Sequence, residues 1–326
     1  MHSHGEASGI TEGFVHQALI YGSDQEFIEV VLPFVGEGLS SGEPTLVAVQ
    51  GHHAQNLRAS LGGTPEGLTI YPVEDWYETS ARTRDKFARW VLERTARSGR
   101  IRLVGEQPWA LRNKAQVRDW ARYESVINVA FAGLPVTLIC PYDAQALPEE
   151  VLGHARDTHP EIVDADGNSP SGSYMDPRDF CERLDATVEA QRHVPSLELQ
   201  FELDDLPVVR RLIGSFAVDA GLTGARTEEI VLAANEVATN AVIHGRPPTT
   251  VRAWHGNAEI IVEVTDGGDG IEDVLAGQLS PPPEVPGGRG LWLTRLLCDA
   301  VEVCNAGGCI VTMHAATRSQ HPASAV

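Results

Sequence analysis

Three positions of the segment EVATNAVIHG, namely Glu236, Asn240 and His244, are spaced i, i+4, i+8, which places a carboxylate, an amide and an imidazole on one face of a helix. The rest of that segment is apolar, so something polar must lie over this face. Two glycine-rich stretches follow: DGGDGI, Asp266 to Ile271, directly after a strand-like run, and GGRGL, Gly287 to Leu291, opening a helix-like run. Glycines let backbone N–H groups approach a ligand, and a glycine-rich turn that feeds a helix N-terminus is a natural anion site. An asparagine carbonyl oxygen suits Mg²⁺, which takes few protein ligands and several phosphate oxygens. Taken singly, the three stretches read as a solvated helix face, a turn and a helix cap. Together they could hold a Mg-nucleotide.

The elements that position these residues fall into two groups. From about residue 16 to 160, short β-like runs (HQALIYG, TLVAVQ, LTIYPV, IRLVGE, VTLICPYD) alternate with helical ones near 25–41, 81–97, 115–131 and after Pro148. Strands alternating with helices predict a parallel sheet covered on both faces. Residues 166–178 are dense in turn formers, and FCERLDATVEAQRHV reads as a helix leading to Pro195. Beyond it come a strand (LELQFEL), two helical segments, two strand-like runs (TTVRAWHG and AEIIVEVTDGG), a helix near 290–298 and a last strand pair, which together predict an α+β sandwich. The expected division is an α/β domain over 11–185, a linker over 186–196, the second domain over 197–317 and a disordered tail over 318–326.

Glu-x-x-x-Asn in a helix, then Asp-x-Gly-x-Gly after a strand, then Gly-x-Gly-Leu opening a helix resembles the N, G1 and G2 boxes of the GHKL ATPase superfamily. NEVATNAVIHG and GGRGLWL are most similar to its anti-sigma-factor serine kinase branch, and no phospho-accepting histidine helix precedes the domain. The resemblance spans about 197–316 and implies a Bergerat-type sandwich that binds ATP. It implies that Asn240 coordinates Mg²⁺, that Asp266 accepts the adenine amino group, and that Gly268 and Gly270 let the base lie close. Gly288 and Gly290, with Leu291 opening the helix, would cradle phosphates, and Arg289 would neutralise charge there or touch a partner protein. Glu236 would be the general base that positions a protein hydroxyl for attack on the γ-phosphate. His244 reads equally as a site residue or as an imidazole favoured by the helix C-terminal dipole. Two departures stand out. The segment Glu272 to Pro286 contains PPPEVP, which predicts a stiff, largely extended ATP lid, and Cys309 stands where the branch often has threonine, which predicts weaker phosphate binding.

The first half carries no second phosphate loop. The chain has only two lysines, Lys86 and Lys114, and neither follows a glycine. Instead HQALIYGSDQEF, VGEQPW, RYE and LPVTLICPYDA make residues 14–180 similar to the MEDS sensory domain, which implies a RecA-like fold without its P-loop. A MEDS domain joined to this kind of ATPase resembles the RsbA family of anti-sigma regulators. Ligands of open parallel sheets bind beyond the C-terminal strand ends. That rule gathers His16, Glu106, Trp109, Tyr123, Glu124, Tyr142 and Asp143 as a candidate sensory cleft for a small molecule. His159 could add a metal ligand, but the spacing matches no recognised pattern, so ordinary polar caps are expected for most of these residues.

Composition sets the outer bounds. Of 326 residues, 42% are hydrophobic and 21% charged, the range of a globular protein, and the net charge of −20 would repel a phosphate backbone, which argues against nucleic-acid binding. No apolar run is long enough to span a membrane, and MHSHGEASG lacks the order of a signal peptide, so a cytoplasmic protein is expected. Five cysteines without CxxC spacing read as reduced core thiols. The leading reading is an anti-sigma regulator that binds Mg-ATP, sequesters a sigma factor and phosphorylates a serine or threonine of an anti-sigma-factor antagonist. The alternative is a nucleotide-dependent binding switch without phosphotransfer. A homodimer is compatible with either.

Overall fold

The structure, a computed structural model, describes residues 13–95, 99–109, 112–188, 194–281, 287–305 and 307–317. The first half runs β1 (Val15–Tyr21), α1 (Asp24–Ser40), β2 (Thr45–Val49), α2 (Gly51–Ser60), β3 (Leu68–Pro72), α3 (Val73–Trp76), α4 (Ser80–Thr95), β4 (Ile101–Gly105), α5 (Lys114–Ala130), β5 (Val136–Asp143), α6 (Glu149–Thr158), β6 (Glu161–Asp164), β7 (Gly167–Pro170) and α7 (Pro177–Asp185). Its strands form one sheet in the order β3-β2-β4-β5-β1-β6-β7, parallel throughout except for the β6–β7 edge pair. All five residues of β2 are buried, as a central strand covered on both faces requires. Leu46 and Ala48 pack into one apolar cluster with Trp76, Phe87 and Trp120, while Val47 and Val49 pack into another with Phe27, Val31 and Leu57.

The second half runs β8 (Leu197–Gln200), α8 (Leu206–Asp219), α9 (Ala225–His244), β9 (Thr250–His255), β10 (Glu259–Asp266), α10 (Gly290–Leu297), β11 (Ala300–Cys304) and β12 (Cys309–Ala316). Its sheet is antiparallel, in the order β11-β12-β10-β9-β8. Alternate residues supply the core: Ile260, Val262 and Val264 of β10 and Val311, Met313 and Ala315 of β12 meet Ile213, Ile230, Ala234, Val237 and Ala241 of α8 and α9.

Three local expectations need correction. Gly167–Pro170, expected as turn, is an edge strand paired with Glu161–Asp164; all four residues are exposed, so no apolar alternation marks them. The helix expected to run towards Pro195 ends at Asp185, its last carbonyls closed by Ala186 N and Thr187 N, and residues 189–193 lie outside the described part. The lid is not extended where it is described. Residues 274–278 form consecutive turns because Asp273 accepts from Leu275 N through its side chain and from Ala276 N through its carbonyl, and Gly277 takes φ +69° against Leu291. The PPPEVP stretch falls largely outside the described residues.

The halves meet along α5. Its Asn113/Gln116 capping box fixes the N-terminus, and Trp120, Tyr123 and Ile127 face the first sheet. Other sides of the same helix reach the second half. Arg118 Nε donates to Glu302 Oε1 at 2.7 Å, Asn113 Nδ2 donates to Glu259 Oε2 at 3.1 Å, and Val126 packs with Cys181 of α7 and Leu275 of the lid. From α4, Arg82 binds Glu229 Oε1 at 2.6 Å and the Leu296 carbonyl at 2.8 Å. The face of the second sheet opposite α8 and α9 is therefore polar yet buried: Glu302, Thr312 and His314 are each about 5% exposed.

Candidate functional site

Helix α9 presents Glu236, Asn240 and His244 along one side, and α10 begins where the first two project. A methyl group on Gly290 would lie 3.0 Å from Glu236 Oε2 and 3.1 Å from Asn240 Nδ2, so the first residue of α10 must pass against both side chains without a Cβ in the way. Among the described residues no side chain caps the N-terminus of α10, which suits its first amides to a ligand, and Thr294 Oγ1 donates inward to the Gly290 carbonyl at 2.9 Å. Gly288 precedes it at φ +72°, a left-handed conformation that suits glycine.

Asp266 closes the other wall. Its Oδ1 accepts from Gly268 N at 2.8 Å, and a methyl group on Gly245, where α9 ends, would come within 2.3 Å of its Cγ. Gly270 turns at φ +87° against Asn305, whose amide bridges Ile271 N (3.1 Å) and the Ile271 carbonyl (3.0 Å). Between these walls lies a cavity of about 290 Å³, lined by Asn240, His244, Asp266, Gly268, Gly270, Gly288, Gly290 and Leu291 with the lid residues Ala276 and Gly277. The glycine positions and the Asn240 amide beside an uncapped helix start fit a Mg-nucleotide. Asn240 would hold the metal, the α10 amides the phosphates, and Asp266 the adenine amino group.

Of the expected site residues, Asn240, Asp266, Gly268, Gly270, Gly288, Gly290 and Leu291 line this cavity, Glu236 touches its Gly290 edge, and Arg289 is the exposed residue before α10. Cys309 also lines the cavity, paired with Asp266 across β10 and β12. Burial, with the Asp266 charge adding to it, pushes its thiol up to about 11, so it stays protonated at neutral pH. Sequence reasoning missed the role of Leu275. It is buried with Val126 and Cys181, and Val274 O lies 3.5 Å from Arg122 Nη1, so the lid is seated on α5 and α7.

The residues expected to form a sensory cleft are, Asp143 apart, buried. His16, Glu106, Trp109, Tyr123, Glu124 and Tyr142 are all under 5% exposed, and Asp143 caps the turn after β5 through Gln145 N (2.8 Å) and Ala146 N (3.2 Å). Three of them belong to two separate polar clusters. Glu106 binds Tyr21 Oη at 2.7 Å, Gln50 N at 2.9 Å and His53 Nδ1 at 2.9 Å. Despite burial, which opposes charge, the hydrogen bond and charge of Glu106 raise the His53 pKa. Separately, His16 and Glu124 converge with Cys140 and His159. Burial holds both imidazoles neutral, down to about 3, and pushes the Glu124 carboxyl up to about 7.

Comparison with known proteins agrees with this division. Residues 15–160 match the MEDS family, the MEthanogen/methylotroph, DcmR Sensory domain, and residues 199–315 match the histidine kinase-like ATPase domain family. The chain thus carries a MEDS domain followed by a GHKL-like ATPase domain. No curated protein matches it. Among solved structures, the mycobacterial sensor histidine kinase MprB is similar at 16% identity and TM-score 0.26, covering 38% of this chain and 97% of its own. The Acinetobacter baumannii histidine kinase AdeS is similar at 14% identity and TM-score 0.25, covering 45% of this chain and 89% of its own. No helix among the described residues is long and apolar enough to cross a membrane.

Proposed function

We propose that this chain, a MEDS domain joined to a GHKL-like ATPase domain, is an anti-sigma regulator of the RsbA kind. In this reading its second domain binds Mg-ATP, sequesters a sigma factor and phosphorylates a serine or threonine of an anti-sigma-factor antagonist, under control of the first domain. The observation that supports the kinase reading is the convergence of Glu236 and Asn240 on Gly290 at the start of α10. A carboxylate that can accept a proton stands beside the residue suited to the metal, and both face a phosphate cradle.

Bound Mg²⁺ supplies charge neutralisation along the triphosphate. The protein's own residues do the rest: Asn240 fixes the metal's place, the α10 amides hold the terminal phosphate, and Asp266 orients the base. Glu236 accepts the proton of an incoming hydroxyl and so sets which oxygen attacks, a role decided mainly by position. Control would pass through the lid. Ala276 and Gly277 line the nucleotide cavity while Leu275, between α5, α7 and the cavity, is held by the sensory half.

The test is incubation of the full chain with γ-labelled ATP, Mg²⁺ and the antagonist proteins encoded in the same genome. Label on an antagonist hydroxyl, lost in Glu236→Gln, supports the kinase. Tight ATP binding with no transfer to any antagonist would leave the alternative, a nucleotide-dependent binding switch, for which Cys309 in the nucleotide cavity is the favouring observation.

A further inference from the structure

We propose that the MEDS domain holds one buried divalent transition-metal ion of the zinc class, ligated by His16 Nε2, Glu124 Oε2, Cys140 Sγ and His159 Nε2. These residues come from β1, α5, β5 and the residue that ends α6, and their ligand atoms all lie within 4.8 Å of one another. His16 Nε2 is 3.2 Å from Glu124 Oε2, His159 Nε2 is 3.6 Å from the same oxygen, and Cys140 Sγ is 3.5 Å from His16 Nε2 and 3.6 Å from Glu124 Oε2. Tetrahedral zinc, with bonds of about 2.0 Å to nitrogen or oxygen and about 2.3 Å to sulfur, requires ligand–ligand edges of roughly 3.3 Å and, to sulfur, roughly 3.6 Å. The four measured edges sit near those lengths.

The second argument is which way the imidazoles are protonated. Asn128 Nδ2 donates to three carbonyls, those of Glu124 (3.3 Å), Ser125 (3.2 Å) and Thr158 (2.8 Å), which turns its Oδ1 towards His16 Nδ1 at 3.0 Å. That oxygen can only accept, so His16 Nδ1 carries the proton and Nε2 the lone pair. His159 Nδ1 meets the Ala155 carbonyl at 2.7 Å, which sets the same tautomer, and its Nε2 has no hydrogen-bond partner. Two lone pairs therefore aim at a carboxylate oxygen in a place that is 0–3% exposed, and Glu124 Oε1 has no partner either. Histidine ligands held through the other ring nitrogen by an acceptor are the usual outer support of a metal site.

Charge closes the argument. Two neutral imidazoles, one thiolate and one carboxylate with a divalent cation sum to zero, which an interior without water can hold. Binding exchanges the ion for the two protons of the Cys140 thiol and the Glu124 carboxyl, which leave to solvent. The site also ties together the neighbouring strands β1 and β5 and α5, the helix that carries Arg118 and Arg122 to the ATPase half.

The test begins with the metal content of the purified full chain and with the visible spectrum after zinc is replaced by Co²⁺. One equivalent of zinc that survives desalting, and a thiolate-to-cobalt charge-transfer band, are expected. Cys140→Ser should remove that band. Asn128→Ala, which touches no ion, should weaken zinc binding 10- to 100-fold. His52→Ala, at the exposed histidine of the separate Asp24/His52/His53 group, should change nothing. Zinc binding that persists unweakened in His159→Ala and Asn128→Ala would overturn the assignment. If those variants fail to fold, the wild-type spectrum decides: no bound metal after equilibration with zinc, or a cobalt form without thiolate charge transfer, shows a cluster satisfied by protons alone.

Discussion

At the scale of single residues, the proposed nucleotide site leaves little room for a Cβ at Gly245 or Gly290, while its polar side chains can be exchanged one at a time. Asn240→Ala is expected to abolish Mg-ATP binding while the fold survives, because one lost metal ligand leaves the triphosphate charge uncompensated; calorimetry with Mg-ATP measures it, and unchanged affinity would remove Asn240 from the site. Glu236→Gln keeps the shape beside Gly290 but cannot take a proton, so nucleotide affinity should hold within a few-fold while phosphotransfer falls at least ~100-fold. Cys309→Thr exchanges a weak donor for a hydroxyl in the cavity wall. Tighter nucleotide binding, by up to about tenfold, is the expected result, since a good hydrogen bond contributes about 1 kcal/mol, and a weaker-binding variant would contradict it.

At the scale of elements, α5 and the lid are the joint between the halves. The ion pair Arg178–Asp273, at 2.8 Å, is more than half exposed on both sides and contributes little. The buried contact of Leu275 with Val126 and Cys181 is the firmer hold. Leu275→Ala should therefore free the lid, cost roughly 2–3 kcal/mol of stability from lost packing, and raise the nucleotide dissociation rate. Stopped-flow release of a fluorescent ATP analogue reads the rate, and a variant that releases nucleotide at the wild-type rate would show that the lid is not held through this residue.

For the whole molecule, stability has its own pH dependence. His314 lies between Glu259 Oε2 and Glu302 Oε2, each at 3.2 Å, on the sheet face that α5 approaches. Burial alone would lower its pKa, but the two carboxylates outweigh it and raise it to about 9. A raised folded-state pKa contributes stability that is complete below the unfolded value near 6.5 and is lost as pH climbs through about 9. The contribution has a ceiling of about 3 kcal/mol. Thermal unfolding of wild type and His314→Gln should differ most near pH 6 and converge towards pH 10; a constant difference across that range would remove the charged imidazole from the account.

What could be read from the amino-acid order was whatever is encoded over a few residues. The i, i+4 spacing puts Glu236 and Asn240 on one side of α9 wherever that helix lies, the alternation of β10 and β12 assigns their core faces, and two lysines without preceding glycines exclude a phosphate loop. The order of three short motifs then pointed to residues that line one cavity, because each motif is local. Gly167–Pro170 escaped because an exposed edge strand buries nothing and so leaves no pattern. The strand-end rule gathered His16 and Glu124 and offered His159 beside them, but tertiary structure alone brought Cys140 into that group, since no spacing along the chain describes four side chains delivered by separate elements. It also turned Leu275 towards α5 and buried the polar face of the second sheet. In sequence, a polar alternation facing another domain is identical to one facing water. Only the packing of distant segments, which depends on which surfaces complement one another, decides between them.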